Sequence, residues 1–174
     1  MKNFLIYLIG MPASGKSTFG KIIAEKLGYT FLDLDSLIEY RNNATIPQIF
    51  EKKGESFFRQ EEKKALQTTF NLDKTIVSTG GGTPCFFDNL EQMKQHGIVC
   101  FLNTEIEILA KRTFETQRKQ QDNRPLFKEA DSFEKLYKLI SQKWEDRKEF
   151  YGQAHFEIKN NDFEEFLEKL EENS

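Results

Sequence analysis

Apolar and polar positions along the chain switch between two periods. Residues 3–9 (NFLIYLI) form an unbroken β-branched and aromatic run, as expected of a strand covered on both faces. After a glycine-rich turn, Phe19, Ile22, Ile23 and Leu27 fall at i, i+3, i+4 and i+8, one face of a helix. Gly28 then stands where a left-handed helix cap belongs. The pattern predicts a second strand at 29–34, helical stretches at about 37–40, 47–53 and 56–70, and a third strand at 75–78 that ends in Gly80-Gly81-Gly82. A helix near 88–96 leads to a fourth strand at 98–102. Thr104 and Glu107 have capping-box spacing at the head of a helix through Ile106, Leu109 and Ala110. Between Glu115 and Asn123 apolar residues vanish, which predicts an exposed mobile loop. Phe133, Leu136, Tyr137, Ile140 and Trp144 mark an amphipathic helix, 155–159 a last strand, and Phe163, Phe166, Leu167 and Leu170 a final helix. Five strands alternating with helices imply an α/β fold in three layers, a five-stranded parallel sheet flanked by helices, with right-handed crossovers.

Composition narrows the class. A chain of 174 residues, 38% hydrophobic and 30% charged, is long enough for one domain spanning 1–174 with a real core. Lys+Arg 25 against Asp+Glu 28 gives a net charge of −3 and a pI near 5.6, the wrong sign for nucleic-acid phosphate contacts. No apolar run reaches the roughly 18–20 residues of a membrane span. The apolar N-terminal run is short and meets Gly10 and Pro12 rather than a cleavage site, so no signal peptide is expected. Cys85 and Cys100 are too few for a disulfide framework and read as reduced thiols of a cytoplasmic protein. His96 and His155 lack metal-ligand spacing, and seventeen phenylalanines read as core filling rather than a base-stacking platform.

Chemistry enters at Gly10-Met11-Pro12-Ala13-Ser14-Gly15-Lys16-Ser17, which fits G-x-x-x-x-G-K-[ST] between a buried strand and an amphipathic helix. Its glycines allow a tight turn with N–H groups facing inward, at the positive end of the helix. Lys16 would reach the β- and γ-phosphates and the Ser17 hydroxyl would ligate Mg²⁺. The segment predicts binding of a nucleoside triphosphate.

Asp33 and Asp35, two apart at the end of the second predicted strand, point to one side of the sheet at the end where open parallel sheets bind ligands. One carboxylate near Mg²⁺ and one near an acceptor hydroxyl is a workable division; a pair of helix caps is the alternative, and the spacing does not assign roles. Gly80–Gly82 would let backbone N–H groups approach an anion, or form a flexible turn before Pro84. Arg147 projects about 40° from Phe133, within an apolar stripe, and needs an anionic partner or an exit to solvent. Arg59 opposes the dipole of its helix, and Glu62, three residues on, is placed to orient it. Arg124, in the polar segment before Pro125, is a candidate to swing over the phosphates, with a solvated loop arginine as the alternative.

Together GMPASGKST at 10–18, FLDLDSLIE at 31–39, the FFR ending at Arg59, STGGG at 78–82, RPL at 124–126 and Arg147 resemble shikimate kinase over most of the chain. The resemblance implies a P-loop kinase fold of the nucleoside monophosphate kinase style, with a mobile lid at about 113–128 and a substrate-binding helical region at about 36–70. It implies a cytoplasmic monomer that phosphorylates the 3-hydroxyl of shikimate with ATP and Mg²⁺, in aromatic amino-acid biosynthesis. Carried over by position, Gly10 to Thr18 bind ATP, with Lys16 on the phosphates. Ser17 ligates the metal and Asp33 stands near it through water, with Ser78 close behind. Asp35 holds the acceptor hydroxyl and acts as base. Arg59, Arg147 and Gly80, Gly81 and Gly82 hold the substrate. Arg112 lies near the adenine and Arg124 comes from the lid. Two departures stand out: the stretch from Arg112 to Arg124 is several residues longer than the usual lid, which leaves a part for Arg118 open, and KNNDF after Ile158 matches the adenine loop only loosely. Two competing readings are a gluconate kinase of the same superfamily and a nucleotide-binding regulatory module without catalysis.

Overall fold

The computed structural model describes residues 4–118, 132–159 and 161–173. Among them, β1 (Leu5–Ile9), β2 (Thr30–Asp33), β3 (Thr75–Ser78), β4 (Ile98–Asn103) and β5 (Phe156–Lys159) form one parallel sheet of order β2-β3-β1-β4-β5. Helices α1 (Lys16–Leu27) and α7 (Phe163–Glu172) lie on one side of it. On the other lie α2 (Leu34–Asn42), α3 (Ile46–Gln67), α4 (Asn89–His96), α5 (Ile106–Arg118) and α6 (Phe133–Tyr151). The two-residue period of the strands makes the three layers. Leu5, Tyr7 and Ile9 of β1 enter the larger core with Val77, Val99 and Phe101, while Ile6 and Leu8 join Ile76, Cys100 and Ile158 against Phe19, Ile23 and Phe166.

Local rules place most boundaries. Gly28 ends α1 in the left-handed conformation, its N–H turned back to Ala24 and Glu25, as its position predicts. Thr45 and Gln48 form a capping box at the start of α3, and Glu39 of α2 accepts the Ile46 N–H at 2.9 Å, so the two helices share a corner.

Four local expectations change. The stretches at 47–53 and 56–70 are halves of one helix, broken at Gly54 (φ 79°, ψ 172°). The capping box at Thr104 and Glu107 does not form, because Thr104 Oγ1 donates to the Ser14 carbonyl at 3.4 Å and Glu107 pairs with Lys111 at 2.7 Å. Helicity continues through Arg118, since the polar residues from Glu115 sit on a helix whose apolar face already includes Leu109, Ala110 and Thr113. The proposed lid therefore starts inside a helix, and its residues 119–128, Arg124 included, lie outside the described residues. Lastly, β2 stops at Asp33, so Asp33 and Asp35 do not alternate along a strand; Asp35 belongs to the first turn of α2.

Gly54 gives a clean test of backbone strain. A Cβ there would meet nothing within 4 Å, yet the conformation is one that only glycine adopts easily. Gly54→Ala is expected to destabilise the fold by about 1–3 kcal/mol in urea unfolding. An unchanged midpoint would show that the break can close into continuous helix.

Candidate active site

The carboxyl ends of β1, β2 and β3 open into a cleft of about 760 Å³. Its floor is the turn after β1. Gly10 lies so close to β4 that a side chain would meet the Leu102 carbonyl at 2.8 Å, and Gly15 takes φ 93° to lead into α1. Lys16 is buried; its Nζ donates to the carbonyls of Gly10 and Met11, each at 2.9 Å, and to Ser14 Oγ at 3.4 Å. Pro12, Ala13, Gly15, Lys16, Ser17 and Thr18 face the cleft, whereas Met11 and Ser14 are turned into the protein beneath it. The loop is tied from outside by Arg112 Nη1, which donates to the Ala13 carbonyl at 3.2 Å, and by Asn161 Nδ2, which joins Thr104 in donating to the Ser14 carbonyl, at 3.2 Å. The resemblance places Arg112 near the adenine; Asn161 lies in the KNNDF segment that matches an adenine loop only loosely, and the sequence does not single it out there.

Sheet register assembles the next group. Pairing of β2 with β3 sets Asp33 beside Ser78, and both meet the first turn of α1. Ser17 Oγ donates to Asp33 Oδ2 at 2.6 Å and lies 3.1 Å from Ser78 Oγ. The other oxygen of Asp33 caps α2 by accepting the Ser36 N–H at 3.1 Å. The helix-cap reading therefore holds for Asp33 through one oxygen, while the other oxygen reaches Ser17.

Asp35 is different. Its Oδ1 is shut off from solvent and has no hydrogen-bond partner among the described residues. Burial, then the charges of Asp33, Glu62 and Glu39, push its carboxyl up to about 7 against the opposing pull of Lys16. A carboxyl of that kind is poised to exchange a proton near neutrality.

The three glycines after β3 make room for the acceptor side. A Cβ on Gly80 would come within 3.0 Å of Asp35 Oδ1. One on Gly81 would press on Pro12 at 2.7 Å and Arg147 Nη1 at 3.1 Å, and one on Gly82 would meet the Arg59 guanidinium at 2.8 Å. Close packing is therefore a reason for this triplet that its pattern did not reveal. The turn is pinned from α6, where the Tyr151 hydroxyl donates to the Gly81 carbonyl at 2.7 Å. Arg59 is buried between rings, with its guanidinium carbon 4.0 Å from the Phe86 centroid, and it pairs with buried Glu62 at 2.9 Å and with Glu55 at 3.1 Å. Glu62 thus orients it as the three-residue spacing implied. Arg147 is only 6% exposed, which argues against the exit to solvent that its place in an apolar stripe left open, and no carboxylate among the described residues pairs with it. Burial pushes the neighbouring Cys85 thiol up to about 11 and the Tyr151 hydroxyl up as well, with Arg147 opposing both.

The cleft thus brings together the phosphate loop with its lysine, the Asp35 carboxyl, and the buried guanidinium groups of Arg59 and Arg147. That is the equipment for moving a phosphoryl group onto a hydroxylated acid. Among the described residues no three His, Cys, Asp or Glu side chains cluster as a metal cage, and no helix is long and apolar enough to cross a membrane.

The raised pKa of Asp35 has a consequence for stability. Between its ordinary value of 3.8 and about 7 the folded protein holds a proton that the unfolded chain releases, so stability falls as pH rises through that window. Asp35→Asn removes the penalty. Its melting temperature is expected to exceed that of the unsubstituted protein by several degrees at about pH 8, with the gain shrinking toward zero at about pH 4. An equal gain at both pH values would assign the effect to packing.

Comparison with known proteins agrees with this geometry. The sequence model of the family described as Shikimate kinase matches residues 12–172. A shikimate kinase of Persephonella marina is 41% identical over 158 residues, 91% of this chain and 88% of that protein. One from Phocaeicola vulgatus is 39% identical over 160 residues, 92% of this chain and 89% of that one. Among solved structures, shikimate kinase from Acinetobacter baumannii in complex with shikimate superposes with a TM-score of 0.85 at 34% identity, covering 97% of this chain and 93% of that one. A gluconokinase from Sinorhizobium meliloti reaches a TM-score of 0.55 at 16% identity, a likeness of fold alone. The chain belongs to the shikimate kinase family.

Proposed function

We propose that this cleft carries out the family's reaction, ATP-dependent phosphorylation of shikimate in aromatic biosynthesis, on its 3-hydroxyl and with the roles that follow. The observation that carries the assignment is the buried Oδ1 of Asp35, unpartnered among the described residues and set in one cleft with the phosphate loop and the guanidinium groups of Arg59 and Arg147.

The loop from Gly10 to Thr18 cradles the phosphates of ATP, and Lys16 exchanges the Gly10 and Met11 carbonyls for phosphate oxygens. Arg59 and Arg147 hold the carboxylate of shikimate, a task suited to the planar guanidinium, and the Gly80–Gly82 turn gives the ring a surface without side chains. Asp35 accepts the hydrogen bond of the 3-hydroxyl. As that oxygen bonds to the γ-phosphorus, the bond from phosphorus to the ADP oxygen breaks and the hydroxyl proton passes to Asp35. Most of the acceleration comes from position and electrostatics.

The oxygen donors at the head of α1 fit Mg²⁺, which takes hard oxygen ligands and keeps several waters. Ser17 would hold it directly and Asp33 through water, with Ser78 behind them. When bound, the ion neutralises charge on the phosphates. Arg112 supports the nucleotide side through Ala13. Arg124 keeps the catalytic role that its RPL motif implies and enters no step derived from the described residues, and Arg118 receives none. A cytoplasmic monomer with reduced Cys85 and Cys100 goes with this reading.

The test is coupled ADP release with ATP and Mg²⁺. Shikimate should stimulate it, and gluconate and nucleoside monophosphates should not; stimulation by a control instead would refute the acceptor assignment. Gly82→Ala refines the test, because Gly82 has an ordinary φ of −91° and a methyl group there displaces the Arg59 guanidinium rather than straining the backbone. Its KM for shikimate should rise on the order of tenfold or more, with the KM for ATP unchanged. An unchanged KM for shikimate would remove Arg59 from the acceptor site.

A further inference from the structure

The acceptor side of the cleft rests on a carboxylate that faces no solvent. Glu62 and Thr83 are both completely buried. Glu62 Oε2 accepts Arg59 Nη1 at 2.9 Å, while Glu62 Oε1 accepts the Thr83 hydroxyl at 2.6 Å. Thr83 opens a single turn of 3₁₀ helix (Thr83–Cys85) and is itself held at two points. Its N–H donates to the Gly80 carbonyl at 3.1 Å, and its carbonyl accepts Nδ2 of buried Asn89, the first residue of α4, at 3.0 Å. A chain of contacts therefore runs from α4 through Thr83 and Glu62 to the guanidinium of Arg59.

The donor count of Arg59 gives this chain its meaning. A guanidinium has five N–H groups, one on Nε and two on each terminal nitrogen. Nε and one N–H of Nη2 go to Glu55 Oε1, at 3.2 and 3.1 Å, and one N–H of Nη1 goes to Glu62. Among the described residues one N–H remains on each terminal nitrogen, and a carboxylate can accept from two such nitrogens at once. Both terminal nitrogens lie by Gly82, at the wall of the cleft. That arrangement depends on Glu62 offering only one oxygen to Arg59. A carboxylate beside a guanidinium otherwise tends to present both oxygens to it. Here Oε1 is engaged by Thr83, on the side toward Asp35. Thr83 Oγ1, Glu62 Oε1 and Asp35 Oδ1 lie 3.1, 3.0 and 3.0 Å from the point where a Cβ on Gly80 would stand. Without the hydroxyl, Oε1 would be a buried, unpaired carboxylate oxygen beside a second carboxyl, a costly state that is relieved when Glu62 turns onto Arg59.

We propose that Thr83 is a positioning residue for the acceptor's carboxylate: its hydroxyl holds one oxygen of Glu62 and thereby keeps one N–H on each terminal nitrogen of Arg59 for the ligand. The proposal rests on the reading that Arg59 binds the carboxylate of shikimate.

The experiment measures, by titration calorimetry, the binding of shikimate and of its uncharged methyl ester to the unsubstituted protein, Thr83→Val and Thr83→Ser. Thr83→Val is expected to weaken shikimate about tenfold and leave the ester within about twofold, while Thr83→Ser, which keeps the hydroxyl, restores the preference for the acid. Thr83→Ala repeats the loss of the hydroxyl without the extra methyl group of valine, so a packing fault at valine does not decide the outcome. Equal weakening of both ligands, full affinity in both hydroxyl-free variants, or failure of serine to restore binding would each overturn the proposal. If the unsubstituted protein does not prefer acid to ester, the assignment of Arg59 falls and takes this role with it. If it does prefer the acid and Thr83→Val prefers it equally, only the role of Thr83 falls.

Discussion

A guanidinium buried without a carboxylate partner is the constraint from which the rest of this site follows. Removing a charge from water is costly unless an opposite charge or hydrogen bonds replace the solvent. Arg59 meets that requirement within the protein, through Glu62, Glu55 and the faces of Phe58 and Phe86. Arg147, equally buried, has no such carboxylate among the described residues. It faces the same cleft, beside the Gly81 backbone, and its charge is felt by the neighbouring Cys85 and Tyr151. A cation at the wall of an open cleft, with no carboxylate partner among the described residues, becomes a source of affinity when an anion arrives. On the proposed reading that anion is the carboxylate of the acceptor, and the difference between the two arginines lies in their partners.

The acidic residues of the cleft carry the complementary imbalance. Asp33, Asp35, Glu39 and Glu62 crowd together, and only some of their oxygens are engaged. Asp33 is occupied twice, by the α2 cap and by Ser17, and Glu39 is drawn off to the head of α3. Asp35 is left with an oxygen that is buried and, among the described residues, unpaired, and burial with the neighbouring charges moves its carboxyl toward neutrality. Sites commonly hold such groups at some cost to stability, because a carboxyl satisfied by the protein would have nothing left for a substrate. Here the cost sits on the residue proposed to take the proton.

What could be read from the sequence was what local rules determine. The phosphate loop, the five strands, the Gly28 cap and the pairing of Arg59 with Glu62 follow from spacing, and the structure keeps them. The roles of Asp33 and Asp35 were not legible, because two-residue spacing looks the same whether a strand continues or a helix starts between the residues. The end of β2 is set by its pairing with β3, which stops at Ser78. Glu115 to Arg118 read as loop from polarity, yet they continue a helix anchored upstream by Leu109 and Thr113. Asn161, Tyr151 and Thr83 lie beyond local reasoning altogether, since each acts on a segment 147, 70 or 21 residues away.

The glycine triplet shows how such distant parts are brought into register. A glycine-rich turn after a strand suggests mobility or exposed N–H groups, but here each missing side chain is matched by a particular neighbour: Asp35 at Gly80, Pro12 and Arg147 at Gly81, Arg59 at Gly82. Side chains that lie directly on backbone are held by the sheet rather than by their own rotamers. Because the same turn touches Pro12 of the phosphate loop and both arginines, it sets the distance between the nucleotide and acceptor sides of the cleft. In-line transfer needs that distance to be right within a fraction of an ångström. A backbone pinned by β3, by Tyr151 and by Asn89 through Thr83 meets this requirement better than flexible side chains could. The residues with the least chemistry of their own thus decide where the chemistry can occur.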